Sequence, residues 1–158
     1  MDNVDLSRDK TLPDLSREAL WFILHSLVAA TVLAVVVAAI ALCHPDPDSI
    51  PPKLIGTALA LLVPMATGFL IVRQQQNQIA AYIWVSGLLI FSVLSVFVLD
   101  LPTGNGLCEK CGAVEKLWRT FFDITHGSGL MSGDGLLLGT WLPLSMIGYA
   151  IGARCALE

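Results

Sequence analysis

The sequence predicts an all-α polytopic membrane protein. Four transmembrane helices form an antiparallel bundle, and a short amphipathic interfacial helix lies in the loop between helices 3 and 4. Three observations carry this reading. Of 158 residues, 55% are hydrophobic and only 14% are charged, where a soluble domain carries roughly a quarter charged residues. The mean hydropathy is correspondingly high, at +0.72. The apolar residues gather into four long stretches whose interiors hold no Lys, Arg, Asp or Glu.

The stretches fall at about residues 20–43, 54–72, 79–99 and 136–153. Each approaches the roughly 20 residues that a helix needs to cross the hydrocarbon core. No water is present there to satisfy the backbone, so a helix is the natural solution. Isolated prolines at 64 and 143 are expected to kink the second and fourth stretches. Residues 1–19 mix acids and bases ahead of a stretch too long for a signal-peptide core, and they read as a cytoplasmic tail.

The connections set the topology. HPDPDSIPP (44–52) and RQQQNQ (73–78) are short, which predicts antiparallel neighbours. The third connection, 100–135, is much longer and reads as an extracytoplasmic loop with structure of its own. Arg8, Lys10, Arg17, Arg73 and Arg154 fall on one side of the membrane, and Lys53, Lys110, Lys116 and Arg119 on the other. The positive-inside rule then places both termini in the cytoplasm.

Helices in lipid associate largely through small residues that let backbones approach. The candidates are Ala30, Ala34 and Ala38 in the first span, Gly56, Ala60 and Gly68 in the second, and Gly148 and Gly152 in the fourth. The third offers Ser86, Gly87, Ser92 and Ser95. Packing within the bundle is the favoured use, with contact to a partner subunit as the alternative. Trp21, Tyr82, Trp84 and Trp141 lie near span ends, where aromatic rings suit the headgroup region.

Within the long loop, Val114, Leu117, Trp118, Phe121 and Phe122 recur at helical spacing. Glu115, Lys116, Arg119 and Asp123 fall largely on the remaining face. This predicts an interfacial helix with its aromatic face in lipid or against the bundle. The glycine-rich run 126–135 reads as a flexible connection.

Cys43, His44, Cys108, Cys111 and His126 all map to the loop side. Three readings stay open. Cys108 and Cys111, or Cys43 with one of them, form a structural disulfide in an oxidising compartment. Alternatively, the CxxC pair Cys108/Cys111 is catalytic in thiol–disulfide exchange, with a quinone as a possible cofactor. Or the five residues supply a zinc or copper site. Small four-helix thiol oxidoreductases of membranes share the architecture, but their motif sits elsewhere. The quinone-linked disulfide-forming proteins carry CxxC in the first external loop, and the vitamin K epoxide reductase-like proteins at the start of the last helix. Here it lies in the second external loop, so the similarity stops at architecture.

His25 is an ionisable residue about one turn inside the first span, and such residues invite a functional hypothesis. A neutral imidazole bonded to a neighbouring carbonyl is the plainer expectation. The chain has no CxxCH, no phosphate-binding glycine loop and no HExxH. No carboxylate lies within a span, which argues against the usual ion-driven transporter, and no arginine ladder marks a voltage sensor. The net charge of -4 and the scattered basic residues exclude a nucleic-acid partner. The expectation is a non-catalytic subunit, accessory factor or homo-oligomer whose partners are the bilayer and other membrane chains.

Overall fold

The computed structural model describes residues 12–46, 49–101, 111–125 and 135–158, and all regular structure among them is helical. The elements are α1 (Leu12–Cys43), α2 (Ile50–Gln75), a 3₁₀ turn (Gln78–Tyr82), α3 (Trp84–Asp100), α4 (Ala113–Phe121), a π-helical turn (Leu136–Trp141) and α5 (Leu142–Leu157). Among the described residues, four helices are long and apolar enough to cross a bilayer: Leu12–Cys43, Ile50–Gln75, Gln78–Asp100 and Leu136–Leu157. They coincide with the four stretches read from the sequence. A short helix is also present between the third and fourth spans, as α4.

The helix ends have local causes. α1 starts ahead of the apolar stretch, so part of the expected tail is helical. Pro51 and Pro52 sit in the first turn of α2, where a missing N–H leaves no bond unmade. Gln76 caps α2, adopting the left-handed conformation (φ 49°) and donating its N–H to Val72 O at 2.7 Å. Asn77 Oδ1 then accepts from the Ile79 N–H at 3.0 Å and opens the 3₁₀ turn. The fourth span begins as a π turn because Pro143 follows it. Proline removes a donor and its ring crowds the preceding turn. The Leu142 N–H instead reaches back five residues to Leu137 O.

α5 is the axis of the bundle. Of its apolar window, 61% is buried within the protein, against 28% for α2, 22% for α1 and 17% for α3. Its closest partner is α2, whose buried residues Gly56, Ala60, Pro64, Gly68 and Val72 repeat every fourth position. Spans two and four run parallel, so the tightest pair joins alternate helices and not sequence neighbours. α2 and α3, although joined by a short turn, share little beyond it. The reason is glycine. A Cβ on Gly148 would stand 2.4 Å from Leu61 O, and one on Gly152 would stand 1.9 Å from Met65 O. One on Gly68 would meet Tyr149 O at 2.3 Å. These contacts are with backbone oxygens, which cannot rotate aside. Gly56, Ala60, Gly68, Gly148 and Gly152 are thus used inside the bundle, as small residues in membrane helices commonly are.

The alanine stripe of α1 differs. The buried face of α1 is His25, Ala29, Leu33, Val36 and Ile40. Ala30 is only partly covered, and Ala34 and Ala38 are exposed. Trp141 is a second departure. It is buried (1% exposed) against Gly56 and is not a headgroup anchor. Its Nε1 donates to Thr57 Oγ1 at 2.9 Å. Tyr82 and Trp84 remain exposed near their span end.

α4 packs against α3 and the π turn. Phe121 is buried and meets Phe91 with ring centroids 5.4 Å apart. Gly139 makes room for it, since a Cβ there would lie 1.9 Å from the Phe121 ring. Lys116 departs from the expected polar face of α4. Val114, Trp118 and Phe122 are exposed, Leu117 is half-buried, and Lys116 is buried (4% exposed). Lys116 Nζ donates to Leu99 O at 3.3 Å and to Leu101 O, at the C-terminus of α3. A cation is favoured there because the last carbonyls of a helix lack intrahelical donors and carry its negative end. Lys53, also buried, donates to Ile124 O at 3.4 Å and ties the start of α2 to the segment after α4.

Candidate functional site

On the loop side, Cys43 ends α1 as an exposed free thiol, so the disulfide considered for it is not formed. The packing explains this, because α4 stands on α3 and the π turn and not on α1. His44 is half-buried and continues the helical bonding, with its N–H on Ile40 O at 3.0 Å. Cys111 is half-buried immediately before Gly112, the N-cap of α4. Cys108 and His126 lie outside the described residues, so the CxxC pair and the five-ligand metal set fall partly beyond them. Among the described residues, no three His, Cys, Asp or Glu side chains converge on a point that would hold a metal ion.

The more developed arrangement lies on the termini side, inside the bundle. His25 is buried (2% exposed), as is Tyr149. His25 Nδ1 lies 2.8 Å from Tyr149 Oη, linking α1 to α5. The expected carbonyl partner of His25 is therefore a phenol from the far end of the chain. If the hydroxyl donates to Nδ1, the imidazole proton sits on Nε2; in the other tautomer Nε2 is a bare acceptor. In both cases Nε2 is buried and has no hydrogen-bond partner among the described residues. Leaving such a group unpaired costs about 1–3 kcal/mol.

A second polar link runs beside the first. Ser86 Oγ lies 2.6 Å from Ile83 O, 3.2 Å from Ser26 Oγ and 3.1 Å from Met146 Sδ. A hydroxyl has one proton. With Ser86 donating to the Ile83 carbonyl, Ser26 donates to Ser86. α1, α3 and α5 are thus joined by side-chain contacts near one membrane surface. Gly87 permits this by lying against Pro143 and Met146, where a Cβ would stand 3.0 Å from Pro143 O.

Trp21 connects this interior to the surface. Its ring stacks on His25 at 5.8 Å between centroids and 29° between planes. Trp21 also lines a cleft of about 830 Å³ between the start of α1, with Arg17 and Glu18, and residues 75–79. A second cleft of about 580 Å³ shares Glu18, Gln78 and Ile79 and continues over Leu15, Ala19, Phe22 and Tyr82. Sequence reasoning singled out His25 but missed Tyr149 and Met146. Their only signal was a phenol and a thioether in a glycine-rich span, and nothing local pairs residues so far apart in the chain.

No protein-family model, curated protein or solved structure matches the chain.

Proposed function

We propose that the chain is a non-catalytic subunit of a membrane assembly, which joins a second copy of itself side by side through α1, with both termini in the cytoplasm. One observation carries this reading. The small-residue stripes of α2 and α5 are covered within the chain, whereas Ala34 and Ala38 on α1 face outward. Thr31, Val35 and Leu42 extend the same exposed surface. Small residues four apart let two helix backbones approach closely, and in lipid this packing is a principal source of association.

The charge distribution supports the orientation. On the termini side Arg17, Arg73 and Arg154 are all exposed. On the loop side Lys53 and Lys116 are buried on carbonyls, and Arg119 is paired with Glu115 at 3.0 Å. Exposed Lys and Arg side chains among the described residues thus number three on the termini side and one on the loop side, and the positive-inside rule assigns the richer side to the cytoplasm.

The test is the mass of the particle in detergent and in lipid nanodiscs. The expected result is a dimer or larger homo-oligomer that the double variant Ala34→Ile, Ala38→Ile converts to monomer without unfolding. A wild-type chain that stays monomeric at high protein-to-lipid ratio would end this reading.

A further inference from the structure

We propose that the paired clefts between the start of α1 and residues 75–82 form a binding site for one glycerophospholipid, with Arg17 holding the phosphate and the Phe22–Tyr82 side taking the start of an acyl chain.

The site has two chemically different halves that meet. The larger cleft is lined mainly by polar residues. Arg17 and Glu18 stand on one wall, and the amides of Gln75, Gln76 and Gln78 are on the other. The adjoining cleft is mainly apolar, with Leu15, Phe22, Ile79 and Tyr82. Glu18, Gln78 and Ile79 belong to both, so the halves are continuous. A molecule that satisfies both must carry a charged or strongly polar head on an apolar tail. At about 830 Å³, the polar half lies within the roughly 300–1,000 Å³ of small-molecule sites.

The position selects a lipid. α2 ends at Gln75 and the third span begins at Gln78, so the cleft sits at the membrane boundary. Trp21 and Tyr82, residue types that favour the headgroup level, line its two halves. Tyr82, which lines the apolar half, is exposed, as are Trp84 and Val85 just after it, on a surface where chains of the surrounding leaflet would lie.

Arg17 selects phosphate. Its guanidinium is exposed and makes no ion pair with a described residue. Arginine presents a planar fork of donors that matches phosphate oxygens. The side-chain amides opposite add donors for the remaining oxygens and for glycerol hydroxyls. Trp21 also lines this half, and its ring stacks on His25.

The experiment is native mass spectrometry of the full chain released from nanodiscs, counting retained lipid. The probes are phosphatidylglycerol, phosphatidylethanolamine and a diacyl galactolipid that lacks phosphate. The wild type is expected to retain one phospholipid and to discriminate against the galactolipid. Arg17→Gln should cut phospholipid retention by about tenfold, the loss of one charge-assisted contact. Arg154→Gln, at the same membrane surface but away from the cleft, should retain lipid as the wild type does. Water-soluble glycerol phosphate should not displace the lipid, because it lacks the chain. Equal retention by Arg17→Gln, equal loss in Arg154→Gln, equal galactolipid binding, or full displacement by glycerol phosphate would each overturn the proposal.

Discussion

Lys116 lies on the inner face of α4, with its ammonium against the last carbonyls of α3. A basic residue in an amphipathic helix is ordinarily assigned to water. Here the acceptor is a helix C-terminus, where exposed carbonyls favour a cation. Replacing Lys116 with Met keeps the stem and removes the donor. α4 should then detach from α3 with a loss of about 1–3 kcal/mol. Hydrogen exchange is the readout, with faster exchange in 113–121 and unchanged protection in α5. His25 and Tyr149 make the other residue-scale prediction. A double-mutant cycle with His25→Phe and Tyr149→Phe should give a coupling of about 0.6–1.7 kcal/mol, the range of interhelical hydrogen bonds in membranes. A coupling near zero would mean that the 2.8 Å contact contributes nothing to holding α1 on α5.

Among the elements, the pairing of α2 with α5 dominates. Glycines meet backbone oxygens along it, so added bulk cannot be absorbed by a side-chain rotation. Gly152→Leu should destabilise the bundle by about 1–3 kcal/mol or more, the usual cost of overpacking. Ala34→Leu, on the exposed face of α1, should leave the isolated chain as stable as the wild type. Reversible unfolding in mixed micelles distinguishes the two. The contrast also marks what the sequence could convey. Glycines four apart signalled close helix contact, and the small residues named in spans two and four, from Gly56 to Gly152, all lie in it. The alanines did not reveal their direction. α1 is apolar on every side through its span, so hydropathy does not distinguish the face toward α5 from the face toward lipid. The π turn was equally hidden. Pro143 announced a disturbance, and only the bonding of Leu142 to Leu137 shows its form.

For the molecule as a whole, the span count was legible because hydrocarbon thickness fixes a length that little else requires. The arrangement of the spans was less so. Loop lengths suggested packing between sequence neighbours, but the closest contact joins spans two and four through glycine. Of the candidate site, His25 was legible as an ionisable residue within a span, but its bond to Tyr149 was not, because that partner comes from α5. Four crossings put the end of α1 and the end of α5 on opposite faces. Two cysteines report this directly. Cys43 closes α1, Cys155 lies in the last turns of α5, and both are exposed free thiols. The decisive measurement is labelling of intact cells with a membrane-impermeant maleimide, compared with labelling after permeabilisation. Cys43 should be modified in intact cells and Cys155 only after permeabilisation. Modification of both from the same side would contradict the four-span topology itself.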